Sequence, residues 1–292
     1  MGMLSLPVAG PPPVVWLMFN AGLVSRMGPH RLNVKLARAL AAQGQASLRF
    51  DLSGRGDSRG STSGADFEQQ SVHDIRSAMD WLEQTCGARR FALFGICSGA
   101  MAAFATAQAD PRVAAALLFD GQAFSSPWTV LVRRWKRFRA APWPQVWRNV
   151  VGRFNGPPAA AAASGQADQD SASPALLRSD FVRQLHALVQ RQVIVFFVYS
   201  GSAIDVYSYG KQFRHAFRSE SFVDQVKCEF HPDIDHTVTS LAAQRKLIDI
   251  ILAWVPAVHA ACRASPEAPA SSSARVARGA RQVVNTGPVP LA

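Results

Sequence analysis

Short apolar runs alternate with segments of helical period along most of the chain. Val14–Phe19, Ala46–Phe50, Arg90–Phe94, Val113–Phe119, Gln192–Tyr199 and Val223–Phe230 read as strands. Between them, Leu32, Leu36 and Leu40 form one stripe of a helix that stops at Gly44. Ser71 and Asp74 predict a capping box opening a second helix, whose Val72, Ile75, Met79 and Leu82 face a core and which Gly87 ends. Further helices are expected over Ser98–Gln108, Ser179–Gln190, near Tyr207–Phe217, and over Thr237–Val255. Strand and helix in alternation predict an α/β fold, a mostly parallel central sheet flanked by helices on both faces.

One stretch breaks this texture. After Phe119, Trp128, Trp135, Trp143 and Trp147 alternate with Arg133, Arg134, Lys136, Arg137, Arg139, Arg148 and Arg153, and Pro157-Pro158 leads into an Ala/Ser/Gly-rich run. Residues 121–178 read as a helical lid insertion with a flexible connector. Residues 263–292, rich in Ala, Ser, Pro and Arg, read as a disordered tail, which leaves residues 1–262 as one domain.

The formal charge of +11 invites a nucleic-acid reading. Its excess sits mainly in the insertion and the tail, with no recognition motif, so nucleic acid is not an expected partner. Contact between a basic, Trp-bearing lid and an anionic membrane surface stays open. Cys86, Cys97, Cys228 and Cys262 form no CxxC pair, which suggests neither a disulfide framework nor a zinc site. A reducing, cytoplasmic setting fits them. No apolar run approaches the roughly 18 residues of a membrane span.

The densest chemical signal is Phe91-Ala92-Leu93-Phe94-Gly95-Ile96-Cys97-Ser98-Gly99-Ala100. A strand, then small-x-nucleophile-x-small, then a helix is the pattern of a nucleophile elbow. Gly95 and Gly99 bracket Cys97 and not Ser98, so the expected nucleophile is a thiol. The helix N-terminus beyond it offers partial positive charge to an anionic sulfur. Ser98 would give its backbone N–H to an oxyanion hole, and the turn Phe19-Asn20-Ala21-Gly22-Leu23 can aim further N–H groups there, from Ala21 and Gly22. His236, after the last strand and before the final helix, is the expected general base, with His231 as the alternative. Asp205, past the strand Val193–Tyr199, is the expected acid, with Asp120, directly after Phe119, as its rival. Arg26 and Arg31 are either contacts for an anionic substrate or solvated surface residues. His30 beside them reads as a capping or packed residue.

With these residues in view the chain resembles the α/β-hydrolase superfamily, within it the serine-aminopeptidase-like group, and particularly the bacterial exosortase A system-associated hydrolases. The likeness rests on Phe19–Gly22 through Gly28–Leu32, on Leu48–Ser58 with its Asp51-x-x-Gly54-x-Gly56-x-Ser58 loop, on Gly95–Ala100, and on Asp235-His236-Thr237. It spans roughly residues 14 to 255. Cys97 stands where the superfamily usually has serine, which resembles dienelactone hydrolase and cysteine-type thioesterases. Asp205 falls one residue later than the usual Gly-x-x-Asp. The resemblance implies an acyl hydrolase or thioesterase with a Cys97–His236–Asp205 triad and no metal or organic cofactor. Its substrate would be a small-molecule or carrier-bound acyl ester or thioester. An acyltransferase or cyclase using the same intermediate, and a non-catalytic binding protein with this fold, are the competing expectations.

Overall fold

In strand β2 (Val15–Met18) every residue is buried, and neighbouring side chains enter different cores. Val15 and Leu17 join one apolar cluster, Trp16 and Met18 the other. A strand apolar at both parities is what a central position demands when helices cover both faces of a sheet. The computed structural model describes residues 1–7, 14–61, 64–126, 128, 129, 132, 174–203 and 207–264.

Around β2 stand β1 (Gly2–Ser5), β3 (Ala46–Phe50), β4 (Phe91–Ile96), β5 (Val113–Phe119), β6 (Ile194–Ser200) and β7 (Lys227–His231). Their order across the sheet is β1-β3-β2-β4-β5-β6-β7. Only the edge strand β1 runs antiparallel to its neighbour. The helices are α1 (Leu32–Ala42), α2 (Phe67–Cys86), α3 (Ser98–Ala109), α4 (Pro174–Gln190), α5 (Gln212–Ala216) and α6 (Leu241–Ala264). α1 and α6 close one face, where Leu36 and Leu40 meet the cluster of Leu247, Ile251 and Val258. α2, α3 and α4 close the other through Met79, Ala103 and Leu185.

The differences from the sequence reading are local. Helix α2 starts at Phe67, because the Asp66 carboxylate accepts the Gln69 N–H at 2.8 Å and caps it there. Ser71 therefore lies inside the helix with its hydroxyl on the Phe67 carbonyl, and Asp74 accepts Ser53 N at 2.6 Å instead of closing a capping box. Residues Ser221–Asp224 form a 3-10 turn, so the last strand begins only at Lys227. Helix α6 runs on through Pro256 to Ala264. The short strand β1 had no sequence signal of its own. Most of the expected lid, and the expected tail from residue 265, lie outside the described residues. Among the described residues no helix is long and apolar enough to cross a membrane.

Two features hold the sheet's ends. At the start of β5 the Arg112 guanidinium forks onto Asp110 at 3.0 and 2.8 Å and reaches Asp80 and Glu83 at 2.7 and 2.8 Å, tying β5 to α2. Burial alone would raise the Asp110 carboxyl, but the bonds from Arg112 outweigh it and hold it below the usual carboxylate value. At the end of β6, Gly201 N donates to the Ile234 carbonyl at 2.8 Å, and a Cβ on Gly201 would lie 2.1 Å from the Pro232 oxygen. Only a hydrogen fits there.

Replacing Gly201 by Ala is therefore expected to destabilise by more than about 2 kcal/mol in urea unfolding, as overpacking against backbone does. Gly44→Ala, at φ 72° but with nothing near its missing Cβ, should cost only about 1 kcal/mol. Equal costs would contradict the tight β6–β7 junction. The stabilisation from Asp110 should be complete above the unfolded carboxylate range and fall away as pH drops through its lowered folded value. Arg112→Met, which removes the guanidinium bonds and leaves the carboxylate to Arg76 at 3.4 Å and to the backbone N–H of residue 112 at 3.0 Å, should cost about 1.5–3 kcal/mol at neutral pH and flatten the acid limb of urea midpoint against pH.

Candidate active site

Strand β4 delivers its backbone into a bend that few residues tolerate. Cys97 has φ 55° and ψ −118°, between the fully buried β4 and the first turn of α3. A non-glycine residue held at positive φ costs on the order of 1–3 kcal/mol and persists only where its surroundings enforce it. The enforcement comes from close backbone approach. A Cβ on Gly95 would lie 2.2 Å from the Gly99 oxygen, and one on Gly99 would lie 2.6 Å from the Asn20 oxygen. Cys97 N donates to the Phe119 carbonyl at 2.9 Å, and its own carbonyl accepts from Ala100 N at 2.9 Å. The residue itself is exposed, unlike the half-buried Cys86, Cys228 and Cys262. Burial pushes the Cys228 thiol up to about 12 and Cys262 up to about 11, which keeps both as inert thiols.

The next strand supplies a carboxylate. Asp120 follows β5 at φ 48°, its N–H on the Val198 carbonyl at 2.9 Å and its side chain almost wholly buried. One carboxylate oxygen accepts Ser200 N at 2.7 Å; the other accepts His236 Nδ1, also at 2.7 Å. The imidazole is 42% exposed, so one side is held and the other is open to solvent. An acceptor-only carboxylate assigns the proton of the pair to Nδ1, which leaves Nε2 as the free lone pair.

His236 is fixed by its own loop as well. Its N–H donates to Ser202 Oγ at 3.1 Å, and Ile234 beside it is buried. Asp235 accepts Thr239 N at 2.9 Å and the hydroxyls of Thr237 and Thr239 at 2.8 and 2.7 Å. Burial would raise the Asp235 carboxyl, but the bonds from Thr239 and Thr237 bring it down to about 2. Cys97 and Asp120 directly follow the adjacent parallel strands β4 and β5, and His236, in the loop after β7, bonds Asp120, so thiol, carboxylate and imidazole share the sheet's C-terminal edge. That is where parallel α/β sheets place their sites.

Asp205, the acid expected from the sequence, lies outside the described residues. The His236 partner in the structure is Asp120, the rival. His231 bonds Glu229 of its own strand at 2.9 Å and makes no described contact with Asp120.

The turn after β2 reaches the bend as expected, but not with a free Gly22 amide. Gly22 N donates to Ser98 Oγ at 2.8 Å, so the Ser98 hydroxyl clamps the Asn20–Val24 turn onto the start of α3. Behind the turn, buried Asn20 bonds Val24 O, Asp51 Oδ1 and Leu52 N at 3.0, 3.0 and 2.7 Å. Asp51 in turn accepts Arg26 through backbone and guanidinium. Gly56 (φ 50°) is needed here because its missing Cβ would meet the Asp51 carboxylate at 2.5 Å. The Asn20–Asp51–Arg26 chain supports the turn from behind, a role that the sequence does not announce. A signal existed in the Asp51-x-x-Gly loop, but nothing in its spacing points to Asn20.

A family model described as the alpha/beta hydrolase fold matches residues 17–167, more than half of the chain. Among solved structures, the chain is similar to an esterase domain from Rhodothermus marinus, with TM-score 0.50, 18% identity, and 86% of this chain and 90% of that one covered. An esterase from Pyrococcus furiosus matches with TM-score 0.53 and 12% identity over 84% and 81%. A putative alpha/beta hydrolase of unknown function from Agrobacterium tumefaciens matches with TM-score 0.54 and 11% identity over 91% and 94%. No curated protein matches significantly. Such identities speak to the fold alone; the family match over more than half of the chain, with which the strained residue on the bend after β4 and the imidazole at the same sheet edge agree, places the chain in the α/β-hydrolase family.

Proposed function

We propose that this chain is an acyl hydrolase that opens ester or thioester bonds through a thioester on Cys97, with His236 as general base and Asp120 as its orienting acid. The observation that carries this is the 2.7 Å bond from His236 Nδ1 to buried Asp120, one strand over from the exposed thiol.

The chemistry follows from those positions. His236 Nε2 takes the Cys97 proton, and the sulfur attacks the substrate carbonyl carbon. The developing oxyanion faces the first amides of α3, with Ser98 N–H leading. The tetrahedral species collapses, the C–O or C–S bond to the leaving group breaks, and the imidazolium returns its proton to that group. Water, deprotonated by the same imidazole, then cleaves the thioester and restores the thiol. Asp120 stays ionic throughout, holding the tautomer and stabilising the imidazolium.

The cysteine itself favours a second reading. A thioester can pass its acyl group to an amine or alcohol as readily as to water, which would make the chain an acyltransferase built on the same three residues. Product analysis with and without added nucleophile separates the two.

Cys97→Ala is expected to lower kcat/KM for an activated ester by at least about a thousandfold. Asp120→Asn, which presents an amide to Nδ1 and disfavours the working tautomer, should cost about 10³–10⁴ in kcat with little change in KM. Asp205→Asn should change either constant by less than about tenfold. Steady-state kinetics of the three variants check this, and a loss confined to Asp205→Asn would contradict the assignment of Asp120.

A further inference from the structure

The arginines around the edge of the sheet are not accounted for by the catalytic reading. Arg49, on β3, is only 6% exposed, yet it has no carboxylate partner among the described residues. Its one side-chain hydrogen bond among the described residues runs from a terminal nitrogen to Met3 Sδ at 3.5 Å, a weak acceptor, and its Nε is buried with no partner there. Burial lowers its pKa, and the positive charges of Arg26, Arg38 and Arg31 lower it further. Buried guanidinium groups are ordinarily paired, because desolvation without compensation is costly. Here three further arginines converge on the same point, and that concentrates the unmet demand for negative charge.

The space to meet it is present. Arg26, Arg31, Arg38 and Arg49 line a cavity of about 380 Å³ with Met3 and Met27 among its walls. Arg26 is already bound to Asp51 and Asp57, but Arg31 and Arg38 form no ion pair among the described residues. Arg31 is also held at φ 62°, directly after His30 at φ 49°. Two successive non-glycine residues in the left-handed region cost energy, and here they set the position from which the Arg31 side chain reaches the cavity. None of the cavity's lining residues comes from the bend at Cys97 or is Asp120 or His236, so it is a separate cavity.

We propose that this cavity is a binding site for a phosphate ester, with Arg49 at its floor and Arg31 and Arg38 at its mouth. Several guanidinium forks match the multiple oxygens of a phosphate, singly charged in a diester and up to doubly charged in a monoester, better than the two oxygens of a carboxylate. The volume exceeds a bare phosphate, and the methionine walls leave room for an apolar portion beside it. The ester comes either from a soluble metabolite or from a phospholipid headgroup, since the exposed Met3 and Met27 stand among the cavity's walls. The site is independent of the catalytic assignment.

The test uses the full chain at low salt, with inorganic pyrophosphate followed by calorimetry and thermal unfolding, and phosphatidylcholine vesicles doped with phosphatidylglycerol followed by co-sedimentation. The double variant Arg31→Gln/Arg38→Gln should weaken whichever probe binds by at least about tenfold, as loss of charge-assisted hydrogen bonds does. The control Arg183→Gln/Arg214→Gln, at exposed arginines of α4 and α5 that pair with Asp180 and Asp224, should not. Binding of pyrophosphate alone identifies a soluble source, and a preference for the doped vesicles identifies a headgroup. Arg49→Met should unfold no earlier than the parent without ligand, having lost an unpaired buried charge, and should lose the pyrophosphate-induced rise in Tm. Binding of neither probe, equal weakening by the two double variants, or a rise in Tm that survives Arg49→Met would overturn the proposal.

Discussion

The site depends on one steric constraint, the near-contact of backbone with backbone around Cys97. β4 and α3 can meet at that angle only if residues 95 and 99 have no side chain, since each missing Cβ would fall well inside van der Waals distance of a carbonyl oxygen. The bend forces Cys97 to positive φ and turns its side chain out of a sheet whose other residues are buried. It also brings the turn after β2 against α3, where Ser98 Oγ takes the Gly22 N–H. Strain at one residue is thus offset by two glycine contacts and a short chain of hydrogen bonds, the usual way a fold sustains a conformation that it would otherwise relax.

Asp120 and His236, the proposed acid and base, are held on a different principle. Asp120 is buried and doubly bonded, so its carboxylate is fixed before substrate arrives. His236 sits on a loop secured by Asp235, Ser202 and the packed Ile234, and presents only one nitrogen outward. Rigid support behind an exposed reactive edge is the preorganisation that acyl chemistry needs.

Much of this was legible in the sequence because it follows from local rules. Two strands were read with their observed bounds, Ala46–Phe50 and Val113–Phe119, since uninterrupted apolar runs between turn residues admit little else. The bend at Cys97 was legible because its glycines are a steric necessity, and His236 because it follows the last strand. What could not be read depended on tertiary pairing. Asp120 and Asp205 both follow a strand at the same edge, and only the fold shows that the Asp120 carboxylate reaches His236. Ser71 and Asp74 matched a capping box, but Asp66 had already capped that helix, and their side chains were used elsewhere. β1 is four residues of edge strand, too short to leave a pattern. Arg49 looked like any arginine in a strand, and its isolation became visible only when Met3, Arg31 and Arg38 came together around it.

The claim that bears the most weight is covalent: an acyl group must pass through the sulfur of Cys97. Intact-mass measurement after a brief exposure to an activated ester or an acyl thioester, followed by peptide mapping, tests it directly. The account predicts one added acyl mass on the peptide bearing Cys97, absent from Cys97→Ala and decaying with turnover. An adduct of the same mass that survives Cys97→Ala, or undiminished hydrolysis by that variant, would contradict it.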